Sequence, residues 1–316
     1  MQFLEANAEV RSDLAAALAG FVSLVVDGQV AWLEEAVRLP ADGAYLVHGM
    51  TPERSGDSVT YNVSDPRSLA YDQAALLLGL VRAAVGVGVD PRTARLAAEL
   101  ADGVFVQLGR HIAVDGTLVA SLTDSGRLAM WVDAAVAVRA LSAVAAALPG
   151  REPEARAFIA SLAGQALQAQ PIGLTEEAAR IDLLLVAGRA LGDNSLSEAG
   201  LAAWRAFAAT SRDRDGRLIA STLARAGWRY SPAEAALAFE LLGDVARADP
   251  SLAAEANLLA ADILLVDVLE ERVQLRTAVG YWSEHVGIAC FDAAPVFAVR
   301  IGPIRGDEPL WTLRRP

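Results

Sequence analysis

The sequence predicts an all-α fold of repeated helical hairpins that curl into an α/α toroid. Two observations favour helix: alanine and leucine are abundant, and 54% of the 316 residues are hydrophobic. Apolar residues recur along the chain with the i, i+3, i+4, i+7 spacing of an amphipathic helix. A third observation is a recurring Asp-Gly phrase, which predicts a tight turn and a short strand between successive helices.

Helix boundaries follow from stop and start signals. Gly86 and Gly88 precede Asp90-Pro91, and the same kind of break recurs at 149–153, 192–194 and 249–251. An Asp, Asn or Ser caps the next helix, and Pro suits its first turn. The predicted helices are 10–38 (as one piece or two), 69–86, 91–110, 127–147, 153–169, 175–191, 195–211, 231–247, 250–273 and 284–299.

The Asp-Gly phrase is an internal repeat. Residues 115–121, Asp-Gly-Thr-Leu-Val-Ala-Ser, reappear at 215–221 as Asp-Gly-Arg-Leu-Ile-Ala-Ser, and a looser copy begins at Asp42. Asp-Gly forms a tight turn, and the alternating apolar residues after it suit a short strand. We expect these strands to form β-bridges in the loops of one rim.

The closed ring is inferred from burial. A helical hairpin cannot bury both of its faces alone, so its neighbours must cover it. The segments 70–86, 128–147 and 231–247 are apolar nearly all round, which indicates burial on every side. This favours a toroid of five hairpins, or six if 10–38 splits, in a single domain over 1–316. An open solenoid is the alternative.

Composition excludes several classes of partner and cofactor. A net charge of −12 disfavours nucleic acid and anionic membrane surfaces. The apolar run 14–26 is too short to span a bilayer, so we expect no membrane insertion and a cytoplasmic protein, or an exported one if a leader has been removed. The single cysteine, Cys290, and three scattered histidines predict no metal site. No phosphate loop or Rossmann motif indicates a cofactor.

Scarce aromatic residues concentrate where the inner helices begin, beside polar groups. Aromatic faces with polar edges suit sugar rings, although Trp and Tyr also seal helix ends. The candidate substrate-binding residues are Tyr71, Gln73, Arg67, Trp131, Trp228, Arg229, Tyr230, Tyr281, Trp282, Glu284 and His285.

Carboxylates at the same rim are candidates for acid/base chemistry. Asp133 has apolar helix around it, so we expect its pKa to be raised; its partner is Asp72, Glu53 or Glu234. A helix cap or an arginine partner is the structural interpretation of Asp133. Glu53 lies in the polar stretch 48–69, which lacks a helical period and is interpreted as a lid or a disordered surface excursion.

Two of these segments resemble the six-hairpin glycosidase-like superfamily. Residues 71–83, beginning Tyr-Asp-Gln-Ala-Ala-Leu, are similar to its inner-helix phrase, and 230–238 look like another copy. Asp90-Pro91-Arg92, with a helix that ends at Asp102-Gly103, resembles the outer helix that follows. The resemblance covers 40–270 in pattern and implies a saccharide bound at the mouth of the barrel. It also implies carboxylates there that catalyse hydrolysis, lysis or epimerisation, but no catalytic phrase carries over residue by residue.

The sequence therefore predicts a carbohydrate-active protein of glycoside hydrolase-like type, acting on a saccharide or oligosaccharide. Asp133 and one of the other three carboxylates would be the acid/base pair. The alternatives are a non-catalytic toroid that binds a saccharide or a protein partner, and an open helical-repeat scaffold that binds peptide.

Overall fold

A computed structural model of the chain describes residues 12–38, 45–55, 58–86, 88–123, 127–212, 218 and 232–263. These residues are mostly helical, which confirms the all-α class; the closed ring stays a prediction. The helices are α1 (Ser12–Arg38), α2 (Ala70–Ala84), α3 (Pro91–Arg110), α4 (Trp131–Ala147), α5 (Glu152–Gln168), α6 (Leu174–Leu191), α7 (Asn194–Thr210), α8 (Pro232–Ala248) and α9 (Ala253–Asp262).

Most helix boundaries agree with the capping signals in the sequence. Asp90 caps α3, because its carboxylate accepts hydrogen bonds from the backbone N–H groups of Arg92 and Thr93. The segment 12–38 is one helix rather than two. Short 3₁₀ helices, Pro149–Arg151 and Pro250–Leu252, precede α5 and α9. The predicted helix 284–299 lies outside the described residues.

The polar stretch 48–69 forms a β-hairpin, which corrects its interpretation as a disordered excursion; the lid stays a prediction. Strand β1 (Gly49–Ser55) pairs antiparallel with β2 (Ser58–Asp65). In β2 the β-branched and aromatic residues Val59, Tyr61 and Val63 alternate with polar ones, and this period of two is typical of a strand. The Tyr61 ring packs edge-on against Trp32 of α1, with 5.7 Å between ring centroids.

The chain divides into two compact units, Met1–Ala166 and Leu167–Pro316. In the first unit, α2 packs against α3 and α4, and α1 packs against α3. In the second unit, α6 packs against α7 and α8, and α8 packs against α9. Helices α2–α5 and α6–α9 thus follow one order: two helices that pack together, a third helix that packs against the first of them, a 3₁₀ turn and a further helix.

In the first unit the Asp-Gly phrase folds as a turn fixed by its own side chain. The Asp115 carboxylate accepts a hydrogen bond from the Thr117 N–H at 2.9 Å, and Gly116 takes a φ of 84°. Gly116 also lies against α5, where the Gln165 amide donates to the Asp115 carbonyl at 2.6 Å. The turn is therefore tied to α5 as well as to its neighbours in sequence.

The strand after this turn connects the ends of three helices. It pairs with the end of α3, the start of α4 and the start of α2, through the isolated antiparallel bridges Ile112–Leu118, Val119–Leu128 and Leu69–Ser121. The backbone N–H of Ala70 donates to the Ala120 carbonyl at 2.9 Å, so the first turn of α2 is bonded directly to the strand. The predicted β-bridges are present in this unit.

The second unit contains the corresponding bridge. Arg212 pairs with Leu218, as Ile112 pairs with Leu118 in the first unit. Leu218 and Leu118 are both buried, with 1% and 6% of their surface exposed. The leucine of the Asp-Gly phrase is therefore a core residue in both copies.

The first prediction concerns the space around the Asp-Gly turn. A Cβ at position 116 would lie 2.5 Å from the Ser161 carbonyl oxygen, and φ is positive there, so we expect Gly116→Ala to lower the free energy of unfolding by about 3 kcal/mol. Gly164, in α5 of the same unit, has no atom within 4 Å of its Cβ position, and Gly164→Ala should stabilise by about 0.5–1 kcal/mol. Urea unfolding followed by circular dichroism measures both, and equal changes would contradict the prediction.

Candidate functional site

Two of the predicted carboxylates lie in the first turns of two helices that pack together. Asp72 is in the first turn of α2, and Asp133 is in the first turn of α4. Leu69 and Leu128, just before these helices, each pair with the strand after the Asp-Gly turn. Both helices therefore begin at the same end of the unit, which brings the two aspartates into one cluster.

Asp133 caps its helix and is also partly buried. Its Oδ2 accepts a hydrogen bond from the Met130 N–H at 3.0 Å, the reach of an N3 side chain back to the N-cap. Burial raises the pKa of Asp133; the Met130 hydrogen bond and the charge of Arg127 oppose this, and the charge of Asp72 adds to it. The raised pKa expected from the sequence is present, and the structural role as a cap is present too.

Asp72 is paired with a histidine that the sequence analysis did not select. The Nδ1 of His48 lies 2.8 Å from Asp72 Oδ2, with 41% and 24% of the two side chains exposed. An ionised carboxylate only accepts, so the Nδ1–H of His48 donates to it. The two residues are 24 positions apart with the hairpin between them, so no local pattern signalled the pair.

Tyr71 lies in the electrostatic field of both aspartates. It is 41% exposed, and its pKa is raised by burial first and then by the charges of Asp133 and Asp72. Trp131 begins α4 and is partly buried. The predicted combination of aromatic rings and carboxylates is therefore present at this end of the first unit.

Gln73 does not belong to the exposed part of the cluster, contrary to expectation. Its side chain is fully buried, its Oε1 accepts from the Leu46 N–H at 3.2 Å, and its Nε2 donates to the Leu46 carbonyl at 2.7 Å. Both ends of the amide are occupied by the backbone, so Gln73 holds the segment that leads to His48. Gln73 is therefore a buried group that positions this segment.

Arg67 is engaged by a neighbouring carboxylate. Its Nη2 lies 2.6 Å from Asp65 Oδ2, and its Nε lies 3.0 Å from both oxygens of Asp65. The side-chain hydrogen bond from Arg67 lowers the pKa of Asp65 to about 2. The Arg67 backbone carbonyl accepts from the His48 N–H at 3.0 Å. This arginine therefore fixes the base of the hairpin beside His48.

A buried polar network supports the segment that leads into α2. His111 is fully buried, and its Nδ1–H donates to the Val119 carbonyl at 2.9 Å, which leaves Nε2 to accept from the Ser68 hydroxyl at 2.9 Å. The Gln107 amide donates to the Ser68 oxygen at 3.2 Å. Burial lowers the pKa of His111, so the ring stays neutral and joins α3, the strand and the start of α2.

The remaining candidates are Glu53, Glu234 and a group of residues outside the described part of the chain. Glu53 is exposed on β1, and the groups that shift the pKa of Asp133 do not include it. Glu234 lies in the first turn of α8, in the second unit. The other predicted residues lie outside the described part of the chain: Trp228, Arg229, Tyr230, Tyr281, Trp282, Glu284 and His285.

Metal-binding clusters and membrane-spanning helices are both absent from the described residues. Among them, no group of three or more His, Cys, Asp and Glu side chains is arranged to hold a metal ion. No helix in the described ranges is both long and apolar enough to cross a membrane.

No protein-family model, curated protein or solved structure matches this chain.

The second prediction tests the burial of Asp133 through stability. Because its folded-state pKa is raised, the native state favours the protonated form, and stability falls as pH rises from the unfolded-state pKa through the folded-state one. Asn keeps an oxygen that can accept from Met130 but carries no charge. We expect Asp133→Asn to raise the free energy of unfolding at pH 7 by about 0.5–1 kcal/mol, and to have little effect below pH 3.

Asp102 provides a control of opposite sign in the same unit. Its pKa is lowered by the hydrogen bond from Arg151, so its carboxylate contributes stability above the unfolded-state pKa that is lost as pH falls. Asp102→Asn should therefore lower the free energy of unfolding at pH 7, and by progressively less as pH falls below the unfolded-state pKa. Thermal melts from pH 3 to 8 measure both variants, and a pH-independent loss for Asp133→Asn would rule out the assigned burial.

Proposed function

We propose that the first unit carries an acid/base site for a saccharide, in a glycoside hydrolase-like protein. The observation that supports this proposal is the pair Asp72 and Asp133, two aspartates at the starts of packed helices in unlike surroundings. One is partly buried with a raised pKa, and the other is hydrogen-bonded to His48. Two carboxylates in different environments are what acid/base cleavage of a glycosidic bond requires.

In this proposal Asp133 is the proton donor. A raised pKa keeps its carboxyl protonated to a higher pH than an exposed aspartate, so it can protonate the leaving glycosidic oxygen. Asp72 is the carboxylate partner, which activates a water molecule or attacks the sugar directly. His48 orients Asp72 through the 2.8 Å hydrogen bond, and Gln73 and Arg67 hold the segments on either side of His48.

The sugar class is supported by the apolar surface beside the carboxylates. Tyr71 is 41% exposed, and on the loop into α4 Leu128 and Met130 are 63% and 56% exposed. Exposed aromatic and apolar groups next to carboxylates suit the faces and hydroxyl edges of a sugar ring. The resemblance to the six-hairpin glycosidase-like superfamily supports the same class, and we propose the closed α/α ring on that ground too.

The third prediction is enzymatic. We expect the wild-type chain to release nitrophenol from at least one member of a panel of 4-nitrophenyl glycosides and glycuronides, or reducing ends from soluble polysaccharides. Asp133→Asn and Asp72→Asn should each lower kcat by about 10²–10⁴-fold, because each removes one half of the acid/base pair. Glu99→Gln, an exposed carboxylate of α3 in the same unit, is the matched control and should keep full activity.

The pH profile and a binding assay separate the alternatives. The pH profile of kcat/KM should be bell-shaped. Its alkaline limb should fall at a pH above the usual pKa range of an aspartate, because the pKa of Asp133 is raised. Binding of oligosaccharides without turnover, lost in Tyr71→Ala, would overturn the catalytic proposal and establish the non-catalytic alternative. Full turnover in Asp133→Asn would exclude this aspartate as the acid.

A further inference from the structure

A groove lies between α1 and α2, away from the carboxylate cluster. Helix α1 packs against α3, and the Ser23 hydroxyl donates to the Gly88 carbonyl at 3.0 Å, which fastens α1 to the loop after α2. Between α1 and α2 this arrangement leaves a groove of about 750 Å³. That volume falls within the range of about 300–1,000 Å³ that small-molecule sites occupy.

The walls of the groove are mostly apolar on both helices, and Gln29 is the polar residue that lines it from α1. Val26, Val30 and Leu33 line it from α1, at the i, i+4, i+7 spacing of one helix face. Leu76 and Leu80 line it from α2. Gly79 stands between them with no atom within 4 Å of its Cβ position, so the groove is open at this point.

One cationic side chain lines this apolar surface. Arg82, in the last turn of α2, borders the groove. Its side chain forms no hydrogen bond or ion pair with any residue that the structure describes. The chain as a whole is acidic, with a net charge of −12. Arg82 is the one charged residue among the described residues that line the groove, and its guanidinium is complementary to a carboxylate.

We propose that this groove binds a long-chain carboxylate, with the hydrocarbon chain between α1 and α2 and the carboxylate at Arg82. The lining of α2 runs from Ala75 to Arg82, a rise of about 10 Å along the helix, which accommodates an extended acyl chain. Arg82 is at the C-terminal end of α2, and Asp72 is at its N-terminal end. The site is therefore separate from the acid/base pair and does not depend on the proposed saccharide activity.

The fourth prediction is tested with 11-(dansylamino)undecanoate as a fluorescent probe and with dodecanoate and dodecanol as competitors. The full chain should bind the probe, and each methylene added to a competing carboxylate should strengthen binding by about fourfold. Arg82→Gln should weaken the binding of dodecanoate by about 10–100-fold and leave the affinity for dodecanol unchanged, because only the carboxylate contacts the guanidinium. Arg92→Gln, at an exposed position at the start of α3, also removes one positive charge and should change the affinity for neither dodecanoate nor dodecanol.

A second pair of variants tests the groove itself. Gly79→Leu places a side chain in the open space and should abolish binding of both dodecanoate and dodecanol. Ala75→Phe, at an exposed lining position, should do the same and serves if Gly79→Leu fails to fold. If the wild-type chain does not bind the probe, the proposal is overturned; this is the result expected where another part of the chain fills the groove. Equal losses of acid and alcohol in Arg82→Gln overturn the role of the arginine.

Discussion

The pairing of the strand 118–121 with its three neighbours is the constraint on which the first unit depends. Helix propensity and capping determine where α2, α3 and α4 begin and end, but they do not determine which ends meet. The bridges do so, because Leu69, Ile112 and Leu128 all pair with this one strand. Asp72 follows Leu69 by three residues, and Asp133 follows Leu128 by five. The two aspartates are therefore brought together by backbone hydrogen bonds of the residues that precede each helix in the sequence.

Asp133 has its structural and its proposed chemical role in the same side chain. An exposed N3 carboxylate would satisfy the Met130 N–H equally well without losing hydration. Burial of this group costs stability in the ionised form and raises its pKa, with Asp72 adding to the effect. Capping explains where the carboxylate is, and it does not explain why it is buried beside a second one. Perturbed carboxylates of this kind are common at functional sites, where stability is exchanged for reactivity.

The sequence predicted local features well and distant pairs poorly. The start of α3 followed from Asp90-Pro91, and the β-bridge at Leu118 and Leu218 followed from the repeated phrase, because each depends on residues close in sequence. The hairpin was missed because Gly49 and Pro52 are uncommon residues for a strand such as β1, and because the segment as a whole is polar. His48 was missed because a hairpin separates it from Asp72, and Gln73 was misassigned because a polar residue in a first turn is usually exposed.

The two units share one order of elements but differ at the start of their central helices. In the second unit the first turn of α6 holds Glu177, which Arg180 binds at 2.7 Å and 2.9 Å, so this carboxylate is neutralised by a permanently charged partner. In the first unit the corresponding turn of α2 holds Asp72, whose partner is His48 rather than an arginine. Ser211 stands in the second unit where His111 stands in the first, so the network from His111 to Ser68 has no counterpart built on the same residue. The two units thus share the bridge at the leucine of the Asp-Gly phrase and differ in these polar residues, and the combination of paired aspartates and a histidine is found in the first unit.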